Sequence, residues 1–303
     1  MEISGVRTDL AVELHELHAQ KGEADGIEKE ESTVDDIAVT TVKIDASAAT
    51  RIGKRAGRYV TLDTGRLWSR DSAALKRTAK VLSSQIDGFL PQGEDAVLCV
   101  GLGNEHITAD ALGPMTVESL IVTHHMRRLE PELYRSLGFG DLAAIAAGVL
   151  GQTGIESASI VGAVASLMPI RCVVVVDALA SRRLSRLATT VQITDTGISP
   201  GSGVSNARSE LTEETLGVPV ISIGVPTVVD AATLAADIVG EARECEIDPQ
   251  TLSSRLSPGN RDFVVAPKDA DVIIRCCARL ISTALNLSIH RSVSVDDIPD
   301  LLA

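Results

Sequence analysis

Aromatic residues are nearly missing from this chain: one Trp, two Tyr and three Phe in 303 residues. That is too few for the stacking platform that holds single-stranded nucleic acid. Cations are also in deficit, with 28 Lys and Arg against 41 Asp and Glu and a formal net charge of −13. Such a chain repels a phosphate backbone, so direct nucleic-acid binding is excluded as an expectation. No apolar run approaches the roughly 18 to 20 residues that a membrane helix requires. Met1–Gln20 mixes Glu2, Arg7, Asp9, Glu13 and two histidines where a signal peptide has a basic start and an apolar core. These absences predict a soluble protein that is not exported by that route and does not span a membrane. The cysteines, Cys99, Cys172, Cys245, Cys276 and Cys277, are odd in number and lack paired metal spacing. They read as buried thiols in a reducing cytosol.

What is present is a 45% hydrophobic fraction, enough for a substantial core in one large domain or two ordinary ones. Lys21–Glu31 reads KGEADGIEKEE, with too little apolar surface to offset its ordering entropy, and Met1–Ser32 is therefore predicted to be a mobile arm. Thr33–Asp45 and Arg58–Asp63 read as strands. Leu75, Ala79, Leu82, Ile86 and Phe89 recur at helical spacing and stop at Pro91. From there strands alternate with helices. Strands are predicted at Asp95–Val100, Arg171–Val176, Thr190–Thr194 and Val218–Gly224. Helices are predicted after Pro114 and at Ile155–Met168, Thr227–Glu244 and Lys268–Leu287. Arg171–Val176 is so uniformly apolar and β-branched that it reads as a central parallel strand. The alternation implies an α/β fold, three-layer α/β/α with a mostly parallel central sheet.

Two Gly-rich loops interrupt this scheme, Gly101–Pro114 and Asp195–Arg208. Ligands in open α/β sheets bind outside the carboxyl ends of strands, where Asp110 and Asp177 are both predicted to fall. Two carboxylates that approach closely share one proton, and such a pair can activate water as base and protonate a leaving group as acid. The structural alternative is that Asp110 caps a helix and Asp177 accepts backbone N–H groups. Gly101, Gly103 and Asn104 in GLGN shape the backbone. His106 stands where a dinucleotide fingerprint has its third glycine. Ser202 and Ser205 of PGSGVSN, a candidate anion nest, lack an adjacent His. His106, His124 and His125 near Asp110 raise a metal hypothesis, but adjacent His124 and His125 face different sides of a helix and no HExxH spacing occurs. No metal is predicted. His15 and His18 fall in the arm, Asp195 and Asp230 read as structural, and Arg182, Arg183 and Arg186 are candidate contacts for an acidic substrate.

Taken together, GLGNEHITADALGP, VVVVDALASRRLSR, QITDTGISPGSGVSNARSEL and ETLGVPVISIGVPTVVDA resemble the germination endopeptidase family of spore-forming bacteria. The resemblance starts at RTDLAVELHE, takes in GRYVTLD and runs to about Ala232. It implies an atypical aspartic-type endopeptidase that cuts small acid-soluble spore proteins at germination, with a fold similar to that of hydrogenase maturation endopeptidases. Its two aspartates fall on Asp110 and Asp177, with Ala109 where the family usually has proline. It further implies a homotetramer in the cytoplasm of the spore core, without a cofactor. It implies a zymogen cut between Asp9 and Leu10, which divides the chain into a propeptide (1–9), the arm (10–32) and a single peptidase domain (33–303). Two other readings remain open: a metal-dependent maturation-type endopeptidase, and a noncatalytic nucleotide-binding or scaffold module in which GLGN cradles phosphate.

Overall fold

The computed structural model describes residues 7–199, 209–242 and 263–302. Residues 1–6 of the expected propeptide, the PGSGVSN stretch with Ser202 and Ser205, and Cys245 lie outside the described residues. In chain order the strands are β1 (Ile27–Val34), β2 (Ile37–Ile44), β3 (Gly57–Asp63), β4 (Ala96–Gly101), β5 (Leu142–Ala146), β6 (Ile170–Ser181), β7 (Thr190–Thr194), β8 (Val220–Asp230) and β9 (Val264–Val265). The helices used below are α1 (Ala11–Gln20), α2 (Ala46–Ile52), α3 (Ser72–Asp87), α4 (Leu112–Glu118), α5 (His124–Leu129), α6 (Pro131–Leu137), α7 (Leu150–Thr153), α8 (Ser157–Ala165), α9 (Glu213–Leu216), α10 (Ala231–Ala242) and the long C-terminal helix Ala270–Ile289.

The strands join one mixed sheet in the order β1-β2-β3-β7-β8-β6-β4-β5, with β9 added to β8. Its centre, β8-β6-β4-β5, is parallel, as the strand–helix alternation requires. The side built from β1, β2, β3 and β7 is antiparallel. Side chains along the central strands alternate between two cores. Val97, Cys99, Val174 and Val176 face α3, α4 and the C-terminal helix. Leu98, Val100, Val173 and Val175 face α8. The result is the expected α/β/α layering. The C-terminal helix is long and apolar enough to cross a membrane by length and composition, with mean hydropathy 1.5, but 72% of that stretch is buried inside the protein. Its apolar surface is therefore core.

Three expectations are corrected by the fold. Residues 10–32 are not a mobile arm. Leu10 and the first residues of α1, Ala11 and Val12, are buried with Val42, Ile44, Ile52 and Tyr59, and β1 pairs along its whole length with β2. The charged run IEKEE belongs to an edge strand with one buried and several exposed positions, where charge protects an open sheet edge. The single strand predicted at Thr33–Asp45 is a hairpin that turns at Asp35 and Asp36, both at positive φ (47° and 64°). Without a glycine this two-residue turn carries a weak signal in the sequence. Asp177 is not at the end of its strand, because β6 runs on to Ser181 alongside β8.

Candidate active site

β4 stops at Gly101, opposite Val176 of β6, while β6 continues. Asp177 is thus the first β6 residue past the end of β4, still paired with Gly224 of β8 on its other side. The chain leaving β4 turns back under the sheet. Leu102 donates its N–H to Val176 O (2.9 Å), and α4 begins so close to β4 that a Cβ on Gly101 would lie 2.4 Å from Gly113 O. Gly103 holds φ +110°, and a Cβ there would lie 2.0 Å from Asp110 O. This close approach folds the loop so that the N–H of Asn104 donates to Asp110 Oδ2 at 2.8 Å. Asn104 Oδ1 in turn accepts from Gln152 Nε2 of α7 at 2.8 Å. Gly101, Gly103 and Asn104 therefore shape the loop that carries Asp110.

Asp110 is half-buried and Asp177 is 6% exposed. Both line one cavity of about 770 Å³, together with Gly103 and Asp9. Asp177 Oδ1 accepts from the N–H of Ala178 (2.9 Å). The cavity sits where β4 ends beside a continuing neighbour, the crevice in which open α/β sheets bind ligands. Two carboxyl groups lining one cavity are suited to general acid–base chemistry.

The N-terminal segment enters this cavity. Asp9 binds the backbone of Ala180 on β6 twice: its N–H donates to Ala180 O (2.8 Å), and its side-chain Oδ2 accepts from Ala180 N (2.8 Å). Lys54 Nζ, just after α2, is 4.0 Å from Asp9 Oδ1. Leu10 is fully buried. Gln192 of β7 bonds Asp9 O and Ala11 N. Lys54, Ala180 and Gln192 were not singled out from the sequence. Gln192 left a signal: a long amide in the middle of a strand whose five residues are all buried.

Other candidates are placed elsewhere. Arg182 forms a bidentate pair with Asp237 of α10, Nη2 to Oδ1 at 2.6 Å and Nε to Oδ2 at 2.9 Å. Arg183 lies 3.8 Å from Glu16, and Arg186 pairs with Glu16 at 2.6 Å. The backbone N–H groups of Arg182 and Arg183 donate to buried Glu13 (2.7 and 3.0 Å). These arginines thus clamp α1 and α10 to the end of β6 and do not line the cavity. Burial raises the pKa of Glu16, but the Arg186 hydrogen bond together with the charges of Arg186, Arg183 and Lys29 outweighs this and holds it below the ordinary value. Asp195 accepts the N–H of Arg58 (2.9 Å), and Asp230 caps α10 by accepting from Thr233 N (2.8 Å). His106 is exposed, and His124 Nδ1 lies 2.9 Å from Asp141 Oδ1. Among the described residues no three His, Cys, Asp or Glu side chains gather to hold a metal.

The family model described as Germination protease matches residues 7–241. A germination protease of Caldanaerobacter subterraneus subsp. tengcongensis is 41% identical over 327 aligned residues, covering 99% of both chains. One of Halalkalibacterium halodurans is 35% identical, covering 98% of this chain and 97% of the relative. Among solved structures, the [NiFe] hydrogenase maturation protease HycI of Thermococcus kodakarensis KOD1 is 19% identical, at TM-score 0.34, covering 66% of this chain and 98% of its own. With a family model over most of the chain and relatives matched end to end, this chain belongs to the germination protease family and is a peptidase.

Proposed function

We propose that this peptidase is an endopeptidase that starts the breakdown of small acid-soluble spore proteins at germination, cutting after an acidic residue and before a hydrophobic one. Asp110 and Asp177 share a proton, and the ionised partner takes a proton from the attacking water while the protonated one supplies the leaving nitrogen. The observation that carries this reading is that the two aspartates, one in the loop after β4 and one on β6, line the same cavity. No cofactor or metal enters the reaction. Asp9–Leu10 is the processing bond of a zymogen, and residues 1–9 act as a tethered occupant at high effective concentration. In support, Asp9 lies in the cavity with the two aspartates. The active form is a homotetramer in the cytoplasm of the spore core, binding neither membrane nor nucleic acid. A net charge of −13 keeps it off the DNA that its substrates coat.

The test is intact-mass analysis of a purified acid-soluble spore protein incubated with the chain beginning at Leu10, and with its Asp110→Asn and Asp177→Asn variants. Cleavage after an acidic residue by the parent, lost in both folded variants, is expected. Variants that cut as well as the parent refute the aspartate pair. Activity is expected to survive a chelator; loss would favour the metal-dependent reading.

A further inference from the structure

Gln192 lies across one particular peptide bond. Its Nε2 donates to the carbonyl oxygen of Asp9 at 3.1 Å, and its Oε1 accepts the N–H of Ala11 at 2.8 Å. The two ends of one side-chain amide thus grip the chain on either side of Asp9–Leu10. The orientation of the amide follows from its partners, since a carbonyl can only accept and an N–H can only donate. Gln192 is 5% exposed, so neither bond competes freely with water. The nitrogen of the same peptide bond, Leu10 N, donates to Thr8 Oγ1 at 3.1 Å. On the acidic side, Asp9 Oδ2 meets the N–H of Ala180 (2.8 Å), with Lys54 Nζ 4.0 Å from Oδ1. Lys54 has no other ion pair among the described residues. Asp9, Lys54, Gln192, Asp110 and Asp177 all line one cavity.

We propose that Asp9–Leu10–Ala11 lies in the register of a bound substrate. In that register Gln192 is a catalytic residue whose amide N–H holds the carbonyl oxygen of the bond to be cut, and Lys54 with the Ala180 N–H receives the acidic side chain before it. The proposal rests on the peptidase reading above. Asp177 lies three residues before Ala180 on the same strand, with a bulge between Leu179 and Ala180, so the pair's carboxylate and the Asp9-binding backbone sit on one stretch of β6. In the reaction the water oxygen bonds to the carbonyl carbon and its proton passes to the ionised aspartate. The carbonyl π pair moves onto the oxygen facing Gln192. When the C–N bond breaks, the nitrogen takes the proton held by the other aspartate, leaving an acid, an amine and a pair that again holds one proton. A hydrogen bond to the oxyanion is stronger than one to the neutral carbonyl, so Gln192 acts mainly on the transition state and its loss lowers kcat more than it changes KM.

The test assays the full-length chain on two peptides that differ only in Glu or Gln before the cut bond. Intact mass of the enzyme ensures that equally processed chains are compared. Gln192→Met is expected to lower kcat by about 10²- to 10³-fold with KM within about threefold. Lys54→Met is expected to lower the Glu-over-Gln preference in kcat/KM by about tenfold, the scale of one partly desolvated charge pair. If Gln192→Met melts early, Gln192→Glu, which keeps the shape and removes the donor, takes its place. A kcat within threefold of the parent in a folded Gln192 variant, or an unchanged Glu/Gln ratio in Lys54→Met, overturns the proposal. A parent that cuts neither peptide even after residues 1–9 have been removed, as its intact mass verifies, overturns the peptidase reading, and this one with it.

Discussion

Gly103→Ala separates the loop that carries Asp110 from everything else in the fold. The new Cβ would sit 2.0 Å from Asp110 O, and ordinary contact begins at 3.4 Å, so the two segments must part by about 1.4 Å, the difference between those distances. Because Asp110 Oδ2 accepts from Asn104 N next door, that movement displaces the carboxylate itself. A misplacement of about 1 Å in a catalytic group costs about 10²-fold in rate. The residue is also held at φ +110°, which adds about 1 to 3 kcal/mol of backbone strain for alanine. The expected result is a chain that still folds, with a lower thermal midpoint and kcat/KM on an acid-soluble spore protein reduced about 100-fold. Gly217→Ala is the control. Gly217 has φ +72° at the end of α9 with nothing within 4 Å of a Cβ, so it should lose about 1 kcal/mol of stability and no activity. A folded Gly103→Ala chain with parental rate would refute the idea that this loop geometry positions Asp110.

Leu10→Ala empties a fully buried position beside Val42, Ile44, Ile52 and Tyr59, and should lower unfolding free energy in urea by about 2 to 5 kcal/mol; an unchanged midpoint would mean that the N-terminal segment is not packed in solution. Removing residues 1–9 should raise activity on an added spore protein, and equal activity would count against the tethered-occupant account. His290 is buried with Nε2 2.8 Å from Ile121 O, and burial lowers its pKa from the ordinary 6.5. Between that value and the lower folded one, the unfolded chain binds more protons. Stability contributed by neutral His290 is therefore complete above pH 6.5 and is lost as pH falls, by at most about 1.4 kcal/mol per unit. Urea midpoints of the parent against His290→Gln, followed downward from pH 7.5, should diverge in slope below 6.5. Parallel curves would show that His290 does not titrate as buried.

Local patterning made the central elements readable. The uniform β-branched run of β6, the spacing of α3 with Asp71 accepting the N–H of Ala74 as its cap, and the glycines around Asp110 each express chemistry that acts within a few residues. The expectation of acidic residues at the carboxyl ends of the central strands pointed to Asp110 and Asp177, although β6 runs on past Asp177 to Ser181. Polar composition misled at residues 10–32, because a charged edge strand and a disordered segment draw on the same amino acids; the difference lies in whether β2 and the Leu10 pocket are available to receive them. Arg182 and Arg183 looked free for the same reason. Nothing in their own neighbourhood in sequence announces Glu13, Glu16 or Asp237 as partners.

By itself, then, the sequence determined the α/β alternation, the family resemblance and the two candidate carboxylates, since periodicity and motif are properties of neighbours along the chain. Only the tertiary structure decided that Asp110 and Asp177 line one cavity, that β7 and β3 join the sheet antiparallel, and that Asp9 and Gln192 meet. Those contacts join residues far apart in the chain, and their energies depend on distances that arise only when the strands have paired.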